Sequence, residues 1–479
     1  MMIRSRLTQR ISFSAFNFLP MYSGTTNCVA GAQDAIQTGI RNSFSLCIGL
    51  MIFRAALDME SSRSVSDFQG FFHEKVIDYH KNLWYIYHNE KRIRSVTSNR
   101  IVHIDLTAFF VSVERILNPD LVGKPIMVAG PPESRGVVTC ASYEIRPYGI
   151  HAGMPTAQAL RKCPIAIRVD SHFHSYAEYS KKVQDFLKSF APVFEVASVD
   201  EFYMDWTGCE RLFGGNLKRF AEDIQHTILR EFGLPCALGI ASNKSVAKIA
   251  CDHAKPYGVL EIHPGEEAEF LKPLGVEVIS GVGEVMEGQL HLRGIRTCGQ
   301  LAAMDSEYLG RTFGKWGLHV QERAKGRGSE HLTVEREQKQ ISKEETFASD
   351  TRDKAFLNAT LHSMTLNVSE QLRAMDLKAQ CVHVKLRYSD WVTHTRQITV
   401  PPTNDPAFIY QTALKLLDKA DERRVTIRLV GMGLSKFLED CTTINMFRQK
   451  EERREWLLKT IDKINHRYDD TLVKVGCGV

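Results

Sequence analysis

Hydrophobic residues recur along the chain with two different periods, and each period predicts one kind of secondary structure. The run Ile101 to Leu106 is apolar and β-prone, which predicts a strand. The stretch after it predicts a helix, because Phe110, Val113 and Leu117 recur at helical spacing. By the same reasoning the next elements are strands at Lys124 to Ala129 and Gly136 to Ser142, then helices at Pro155 to Cys163 and Ser175 to Phe190.

The two periods return later in the chain, after a stretch of different character. Arg323 to Lys343 is crowded with charge and has few large apolar residues, which favours a linker; a solvated helix end fits the local pattern equally well. The predicted elements beyond it are strands at Gln380 to Tyr388, Trp391 to Val400 and Val425 to Leu434, and helices at Phe356 to Met375 and Ala407 to Lys419.

Three carboxylates stand at the ends of apolar, strand-like runs. Asp105 closes the run that begins at Ile101, and Asp200 and Glu201 follow a second such run. Carboxylate oxygens are the ligands that Mg²⁺ prefers. Together the three acids could hold the two ions, about 3.5–4 Å apart, that enzymes use for in-line displacement at phosphorus. The two stretches alone leave another interpretation open, because acidic residues at strand ends are often no more than solvated caps.

Composition is compatible with such an enzyme and excludes little. The chain has 479 residues, enough for several domains of about 100–200 residues each. With 43% hydrophobic and 24% charged residues it can bury real cores, and a net charge of +5 is expected if one face meets phosphate. The 11 cysteines include no CxxC pair and no Cys/His cluster at zinc-ligand spacing, which favours reduced thiols in an intracellular protein.

The first 99 residues stand apart from the rest. Between Met1 and Leu57 the only acidic residue is Asp34, against five arginines, and this composition is typical of an organellar transit peptide. A translation start placed too far upstream, with Met59 near the end of the stretch, or plain disorder, is the favoured interpretation. The longest apolar run, Phe44 to Phe53, is shorter than the roughly 18 residues that cross a bilayer, so no membrane association is expected.

Six sequence motifs follow one another in a set order. The first three read HIDLTAFFVSVERILNP, GKPIMVAG and RGVVTCASYEIRPYGIHAGMP; the others read SVDEFYMDWTG, LPCALGIASNKSVAKIACDHAKPYGV and ISGVGEVMEGQLHLRGIRTCGQL. This succession, from Arg100 to Phe447, resembles a Y-family DNA polymerase of the DNA polymerase IV type. A single motif would be weak, whereas six in this order are a specific signal.

The resemblance implies an α+β multidomain fold of the right-hand polymerase type. Its parts would be a palm, small fingers, a helical thumb carrying a helix-hairpin-helix-like turn, and an α/β little-finger domain. On this chain they correspond to an N-terminal extension at 1–99, palm at 100–108 and 172–262, fingers at 109–171, thumb at 263–330, linker at 331–343, little finger at 344–447 and a basic tail at 448–479.

The resemblance also implies a metal centre. Asp105, Asp200 and Glu201 would be the catalytic residues and would bind two Mg²⁺ ions, for which Mn²⁺ could substitute. The backbone carbonyl of Leu106 would be a further ligand. The family usually shows another acid where Thr107 stands, a position that is not a required ligand.

Tyr143, Arg146 and Lys255 resemble the side chains that bind the incoming triphosphate. Arg offers a planar fork that matches phosphate oxygens, Lys a mobile point charge, and Tyr a hydroxyl donor. A hydroxyl-bearing residue often precedes the tyrosine by three places. Cys140 stands there, with Thr139 beside it, so either Thr139 substitutes or one hydrogen bond is missing.

Phe110 stands at the family's steric-gate position, where an aromatic ring under the sugar leaves no room for a 2′-hydroxyl. A Phe after a strand is more often part of the core, which is the interpretation for its neighbour Phe109. Ser198 and Asp205, which flank the acidic pair, are interpreted as structural.

Two surfaces are expected to contact DNA. In the thumb, the turn Ser280-Gly-Val-Gly283 would let backbone N–H groups approach a phosphate, because Gly281 and Gly283 carry no side chain. In the little finger, alternating strand positions would face the phosphate backbone or the core. The phosphate-facing set would be Lys385, Arg387, Thr395 and Arg396, and the core set Val382, Val384 and Leu386.

Thr442 to Phe447 resembles the short peptide by which DNA polymerase IV proteins bind the sliding clamp. Ile444, Met446 and Phe447 would be its apolar anchors. The usual leading Gln is absent, Met446 stands in place of Leu, and a basic tail with helical character, Arg448 to Arg467, follows. A plain final strand packed on its own domain is the alternative.

The sequence therefore predicts a template-directed DNA polymerase that extends a primer 3′ end by a two-metal mechanism, at low processivity, and copies damaged template. The alternative is a catalytically silent relative that binds DNA and partners in a repair complex; the presence of all three acids favours the enzyme. A two-metal nuclease would not explain the triphosphate-binding set. The expected partners are primer–template DNA, deoxynucleoside triphosphates and a sliding clamp, for a monomer in a bacterial-type cytoplasm or, by its extension, in an organelle.

Overall fold

The computed structural model describes residues 98–211, 213–334, 337–439, 449–468 and 473. Most of the predicted N-terminal extension lies outside the described residues, as do the predicted clamp anchors Ile444, Met446 and Phe447. Among the described helices, none is long and apolar enough to cross a bilayer.

The first part of the chain alternates strands and helices. In chain order these are β1 (Ile101–Leu106), α1 (Phe109–Leu117), β2 (Ile126–Ala129), β3 (Val138–Ala141), α2 (Thr156–Lys162), β4 (Ile167–Val169), α3 (Phe173–Lys188), β5 (Val193–Val196), β6 (Glu201–Asp205), α4 (Leu217–Phe232), β7 (Cys236–Ala241), α5 (Lys244–Ala254) and β8 (Gly258–Glu261). The strands and helices that the hydrophobic periods predict in this part are found, with ends displaced by a few residues.

The remainder begins with helices and ends with long strands. Its elements are α6 (Glu267–Leu271), α7 (Glu284–His291), α8 (Cys298–Ala303), α9 (Ser306–Ala324), β9 (Gln340–Thr351), α10 (Lys354–Ala374), β10 (Leu377–Tyr388), β11 (Thr393–Thr403), α11 (Pro406–Ala420), β12 (Ile427–Glu439) and α12 (Gln449–Tyr468). Helices combined with three sheets in the described residues agree with the predicted α+β class.

The predicted linker is too long at its C-terminal end. The sequence placed it at 331–343, whereas β9 begins at Gln340. β9 is an edge strand, and of its residues only Ile341 and Phe347 are buried. Its other positions are free to carry charge, which is a common property of edge strands. Of the charged residues in the predicted linker, only Lys343 lies on this strand, and the others precede it in the sequence.

Contacts divide the described chain into two units. The first contains residues up to 122 and from 172 to 334, and the second contains residues 123–171 and the part from 337 onward. The first boundary differs from the predicted start of the fingers at residue 109. The reason is that α1 packs against α3: the Phe109 and Tyr176 rings lie 6.4 Å apart, edge to face. Because α1 packs on α3, this helix belongs to the first unit and not to the second.

The first unit is built on a five-stranded sheet in the order β5-β6-β1-β7-β8. β1 is central and antiparallel to both of its neighbours, and all six of its residues are buried. Gly239 on β7 allows α5 to lie directly on the sheet, because a Cβ there would meet the Ala247 carbonyl oxygen at 2.1 Å. The close approach brings the polar side of α5 to the end of β1.

The second unit contains a three-stranded sheet, β3-β2-β4, and a four-stranded antiparallel sheet, β11-β10-β12-β9. One face of the larger sheet packs against α10 and α11. Val382, Val384 and Leu386 are fully buried on that face, as the sequence predicted. Within this unit Arg135 pairs with Asp350 at 2.7 Å, which joins the segment before β3 to β9.

Candidate active site

The three predicted carboxylates meet at the paired ends of β1 and β6. The antiparallel register sets Asp105 directly opposite Glu201. Asp200 immediately precedes β6, and its carbonyl oxygen accepts a hydrogen bond from the Leu106 N–H at 2.9 Å. Side chains directly opposed on neighbouring strands have Cβ atoms about 4.5–5.5 Å apart. The fold therefore brings Asp105, Asp200 and Glu201 together at the adjoining ends of two interior strands.

Two lysines, one on α5 and one directly after it, pair with these acids. Lys255, directly after the helix, places Nζ 2.6 Å from Asp105 Oδ2. Lys248 donates a hydrogen bond to Glu201 Oε1. The sequence identified Lys255 but missed Lys248. The two lysines are seven residues apart, which is two helical turns, and this spacing is the signal that could have found Lys248.

The electrostatic environment shifts the pKa values of Asp105 and Glu201 in opposite directions. Burial raises the pKa of Asp105 to about 6; Asp200 and Glu201 add to the rise, and Lys255 opposes it. In contrast, His103 and Lys248 hold the pKa of Glu201 at about 2, against the effect of its burial. Glu201 is therefore ionised at neutral pH, and Asp105 is the acid whose charge changes in the weakly acidic range.

His103 is a buried residue of the site that the sequence analysis missed. It precedes Asp105 by two residues on β1, so both side chains point to the same side of the sheet. Its Nε2 faces Glu201 Oε2 at 3.7 Å, and this contact is the one through which His103 lowers the pKa of Glu201. Burial lowers the pKa of His103. The signal was available, because a histidine in an otherwise apolar strand is unusual.

Neighbouring groups fix the backbone around the acids. The Ser198 hydroxyl donates to Asp200 Oδ1 and accepts from the Glu201 N–H at 3.0 Å, so its predicted structural role is in place. The Thr107 hydroxyl donates to the Pro256 carbonyl oxygen at 2.6 Å, so it is engaged away from the carboxylates. This contact ties the end of β1 to the loop that carries Lys255.

The donor set fits hard divalent cations. It consists of three carboxylates at strand ends, and Mg²⁺ prefers such oxygen ligands. Asp200 and Glu201 raise the pKa of Asp105, and Asp105 and Glu201 each attract an ammonium group, so the group favours positive charge. These are properties of a cation site, and the chemistry of the residues is therefore compatible with the predicted metal centre.

The other predicted triphosphate ligands lie in the second unit. The Arg146 guanidinium lies over the Tyr143 ring, 3.9 Å from its centroid, and its Nε donates to the Ala141 carbonyl oxygen at 3.3 Å. Thr139 and Cys140 lie on β3, just before this pair. Stacking on the ring holds the guanidinium plane in one orientation while leaving most of its N–H donors for an anion.

Phe110 is the second residue of α1, and the residue before the helix, Ala108, adopts a left-handed backbone conformation. The ring is partly exposed, unlike the neighbouring Phe109, which is buried as predicted. It stacks on Tyr176, with centroids 4.3 Å apart. Partial exposure favours the steric-gate interpretation of Phe110 over the alternative that it is a core residue, which would be buried like Phe109.

The two glycines of the predicted DNA-binding turn differ in their surroundings. Gly281 has φ +103°, and a Cβ there would lie 2.6 Å from Trp316 Cζ2. Trp316 Nε1 also donates to the Gly281 carbonyl oxygen at 2.9 Å. At Gly283, directly before α7, no described atom lies within 4 Å of the position of a Cβ. Internal packing thus explains Gly281, while Gly283 leaves the start of α7 open to approach.

Lys385, Arg387 and Thr395 lie together on the side of the four-stranded sheet that faces away from α10 and α11. The register pairs Lys385 with Thr395, and Arg387 donates to Thr393 Oγ1 at 2.9 Å. Lys385 also forms an ion pair with Glu344 at 2.8 Å. Lys385, Arg387 and Thr395 therefore share one face, as predicted, and Glu344 lies beside Lys385 on that face.

Arg396 was placed on the wrong face. The register pairs it with Val384, a core residue, and its guanidinium donates to Glu422, in the segment after α11. Successive residues of a strand point to opposite sides, so Thr395 and Arg396 cannot share a face. Arg396 belongs to the edge of the helix-covered side.

Comparisons with known proteins place the chain among DNA polymerases. Residues 104–252 match the model of the impB/mucB/samB family, and residues 338–450 match the impB/mucB/samB family C-terminal domain. The DNA polymerase IV of Dehalococcoides mccartyi strain CBDB1 is 39% identical over 379 residues, covering 79% of this chain and 97% of the relative. That of Listeria monocytogenes serotype 4a strain HCC23 is 37% identical over 340 residues, covering 71% and 95%.

Solved structures that resemble this chain are also DNA polymerases. The Y-family DNA polymerase chimera Dbh-Dpo4(243-245)-Dbh superposes with a TM-score of 0.64 at 27% identity, covering 71% of this chain and 99% of that chain. An insertion ternary complex of Dbh DNA polymerase has a TM-score of 0.51 at 27% identity, with the same coverage.

Proposed function

The chain belongs to the Y-family DNA polymerases of the DNA polymerase IV type, and we propose that it adds deoxynucleotides to a primer 3′ end at the carboxylates of β1 and β6. The resemblance, the fold class and the enzyme class predicted from the sequence are confirmed. The chain is thus a DNA-directed DNA polymerase of the translesion type, which acts in DNA repair and damage tolerance. The observation that carries the finer proposal is that three carboxylates and two lysines meet at the adjoining ends of β1 and β6.

Asp105, Asp200 and Glu201 would hold two divalent cations, Mg²⁺ by preference, with the Leu106 carbonyl as a further proposed ligand. When bound, such ions make the primer 3′-oxygen nucleophilic and neutralise charge on the leaving pyrophosphate. The chain contributes fixed and ionised oxygens at two paired strand ends. His103 and Lys248 support this role, because they keep Glu201 ionised well below neutral pH.

Lys255, Tyr143 and Arg146 would bind the triphosphate. Lys255 pairs with Asp105, and its ammonium would be available to phosphate oxygens if that carboxylate held a cation instead. The Arg146 guanidinium, oriented by its stack on Tyr143, offers two parallel N–H donors to one phosphate. Thr139 would supply the hydroxyl donor that is missing at Cys140.

Phe110 would select the sugar, since its partly exposed ring lies four residues after Leu106, the last residue of the strand that carries Asp105. Deoxyribose has only a hydrogen at C2′, so an aromatic wall beneath it fits, whereas a 2′-hydroxyl would have to displace the ring. Rejection of the larger sugar would then be a matter of volume, and it would depend on how firmly the ring is held.

The five-stranded sheet would be the palm, the segment with β2, β3 and β4 the fingers, the helices α6 to α9 the thumb, and the four-stranded sheet the little finger. Gly281, Gly283, Lys385 and Arg387 would contact the DNA backbone. A monomer with few DNA contacts would dissociate often, which accounts for low processivity, and a sliding clamp bound through Ile444, Met446 and Phe447 would compensate. A catalytically silent relative is disfavoured, because the chain keeps all three acids.

Primer extension with the full-length chain tests the proposal. A labelled primer, with and without its template, is incubated with deoxynucleoside triphosphates and either Mg²⁺ or a chelator. Stepwise extension that requires both template and metal is the expected result. DNA binding without extension in either Mg²⁺ or Mn²⁺ would instead support the silent relative.

A further inference from the structure

The Phe110 ring rests on Tyr176. The two rings are stacked, with centroids 4.3 Å apart and planes inclined by 18°. Phe110 is partly exposed, whereas Tyr176 is 2% exposed and belongs to the core between α1 and α3. Tyr176 is therefore the inner partner of the stack, and its position decides how far Phe110 can retreat into the protein.

The Tyr176 hydroxyl is anchored on the same helix that carries Phe110. It donates a hydrogen bond to Glu114 Oε1. Glu114 follows Phe110 by four residues, and side chains at that spacing lie on one face of a helix. α1 and α3 are thus joined twice, by the ring stack and by the hydrogen bond. The Tyr176 ring cannot slide along Phe110 without stretching the bond to Glu114.

Glu114 is a carboxylate that the core would not tolerate unpaired. It is 2% exposed, and a buried charge is costly unless it is paired and hydrogen-bonded. His172 supplies the second partner, with Nδ1 2.8 Å from Oε1 and 3.1 Å from Oε2. His172 directly precedes α3, and Tyr176 lies in the first turns of that helix. Both partners of Glu114 therefore come from one helix start.

We infer that Glu114, Tyr176 and His172 are positioning residues for sugar selection: they hold Phe110 where a hydrogen at C2′ fits and a hydroxyl does not. The inference rests on the proposed role of Phe110 as the steric gate. A yielding apolar pocket rejects an added hydroxyl poorly. Strong rejection by volume requires a wall that does not give way, which is a property of close-packed, fixed side chains.

The test is single-nucleotide insertion by the full-length chain opposite one template base, with kcat/KM measured for the deoxyribonucleotide and the ribonucleotide. Tyr176→Phe keeps the ring and removes the hydroxyl, and Glu114→Gln keeps the volume and removes the charge. Each should lower the deoxy-to-ribo ratio by about fivefold to tenfold, the size expected for the loss of one typical hydrogen bond. Tyr179→Phe, which removes a hydroxyl from the same helix, is the matched control and should leave the ratio unchanged.

A double variant links the effect to the gate. Phe110→Ala alone should lower the ratio strongly, and adding Tyr176→Phe to it should change nothing further, because the support then has nothing to hold. His172→Ala should lower the ratio in the same direction and stands in for Glu114→Gln if that variant fails to fold.

Two outcomes separate this inference from the proposed function. An unchanged ratio in Tyr176→Phe and in Glu114→Gln, while Phe110→Ala still lowers it, overturns the inference and leaves the gate in place. An unchanged ratio in Phe110→Ala overturns both. An equal effect of Tyr176→Phe with and without Phe110 also overturns the inference, because the hydroxyl would then act elsewhere.

Discussion

Glu344 pairs with Lys385 on the face of the four-stranded sheet opposite α10 and α11, which leads to a quantitative prediction. Lys385 Nζ lies 2.9 and 2.8 Å from the two carboxylate oxygens. Gly431 lies between them on β12 and carries no side chain, so the pair spans the middle strand. A DNA phosphate bound to Lys385 must break this pair and approach a carboxylate. We therefore expect Glu344→Gln to strengthen DNA binding and Lys385→Met to weaken it.

The size of each effect follows from exposure and charge. The two side chains are 30% and 40% exposed. A pair this exposed is worth at most about 1 kcal/mol, so Glu344→Gln should lower the Kd for DNA by about fivefold or less. Lys385→Met removes one phosphate contact, which lowers the slope of log affinity against log salt by about 0.9. Over roughly a fourfold change in salt, the ratio of the wild-type and variant Kd values then changes by about 3.5-fold.

Fluorescence anisotropy with a labelled primer–template duplex, titrated at several salt concentrations, measures both quantities. Lys343→Met is the matched control. Lys343 lies on β9 beside Glu344, but it pairs with Met432 and so points to the opposite face of the sheet. An unchanged slope in Lys385→Met, or an equal loss of slope in Lys343→Met, would refute the assignment of this face to DNA.

Three further predictions concern other parts of the chain. The pKa of Asp105 is raised to about 6, so below that pH a proton competes with the cation; Mn²⁺ affinity measured by calorimetry should fall as pH is lowered through about 6, and Asp105→Asn should lose that dependence. Gly281→Ala should lower the free energy of unfolding by about 1–3 kcal/mol, because φ is +103° and Trp316 fills the space, whereas Gly283→Ala should leave thermal unfolding nearly unchanged. Met446→Ala with Phe447→Ala should weaken clamp binding by more than about 1 kcal/mol and shorten clamp-dependent products; loss of extension without clamp would make this segment structural instead.

Contiguous patterns explain what the sequence could predict. The strand that carries Asp105 is encoded by a short apolar run, so the place of this carboxylate near a strand end could be predicted. The run before Asp200 does not reach the acidic pair as a strand, because that strand ends at Val196 and Glu201 instead begins β6. Val382, Val384 and Leu386 were predictable in the same way, because a period of two is local.

The missed residues depend on contacts between distant segments. Lys248 becomes part of the site only because Gly239 lets α5 lie on β7, and His103 only because β6 places Glu201 beside it. Glu114 reads as an ordinary helix residue until α3 covers it with Tyr176 and His172. The misplacement of Arg396 had a different cause, since it follows Thr395 directly and the strand period alone excludes a shared face.

The central claim is that Asp105, Asp200 and Glu201 carry the chemistry, and single-turnover primer extension by carboxylate variants tests it most directly. Asp105→Ala, Asp200→Ala and Glu201→Ala should each lower the rate by roughly 10²-fold or more, with DNA binding retained. Asp205→Asn is the control at the far end of β6, where the side chain accepts only from the Thr207 N–H among the described hydrogen bonds; it should keep the wild-type rate. Full extension activity in Asp200→Ala or Glu201→Ala would contradict the account.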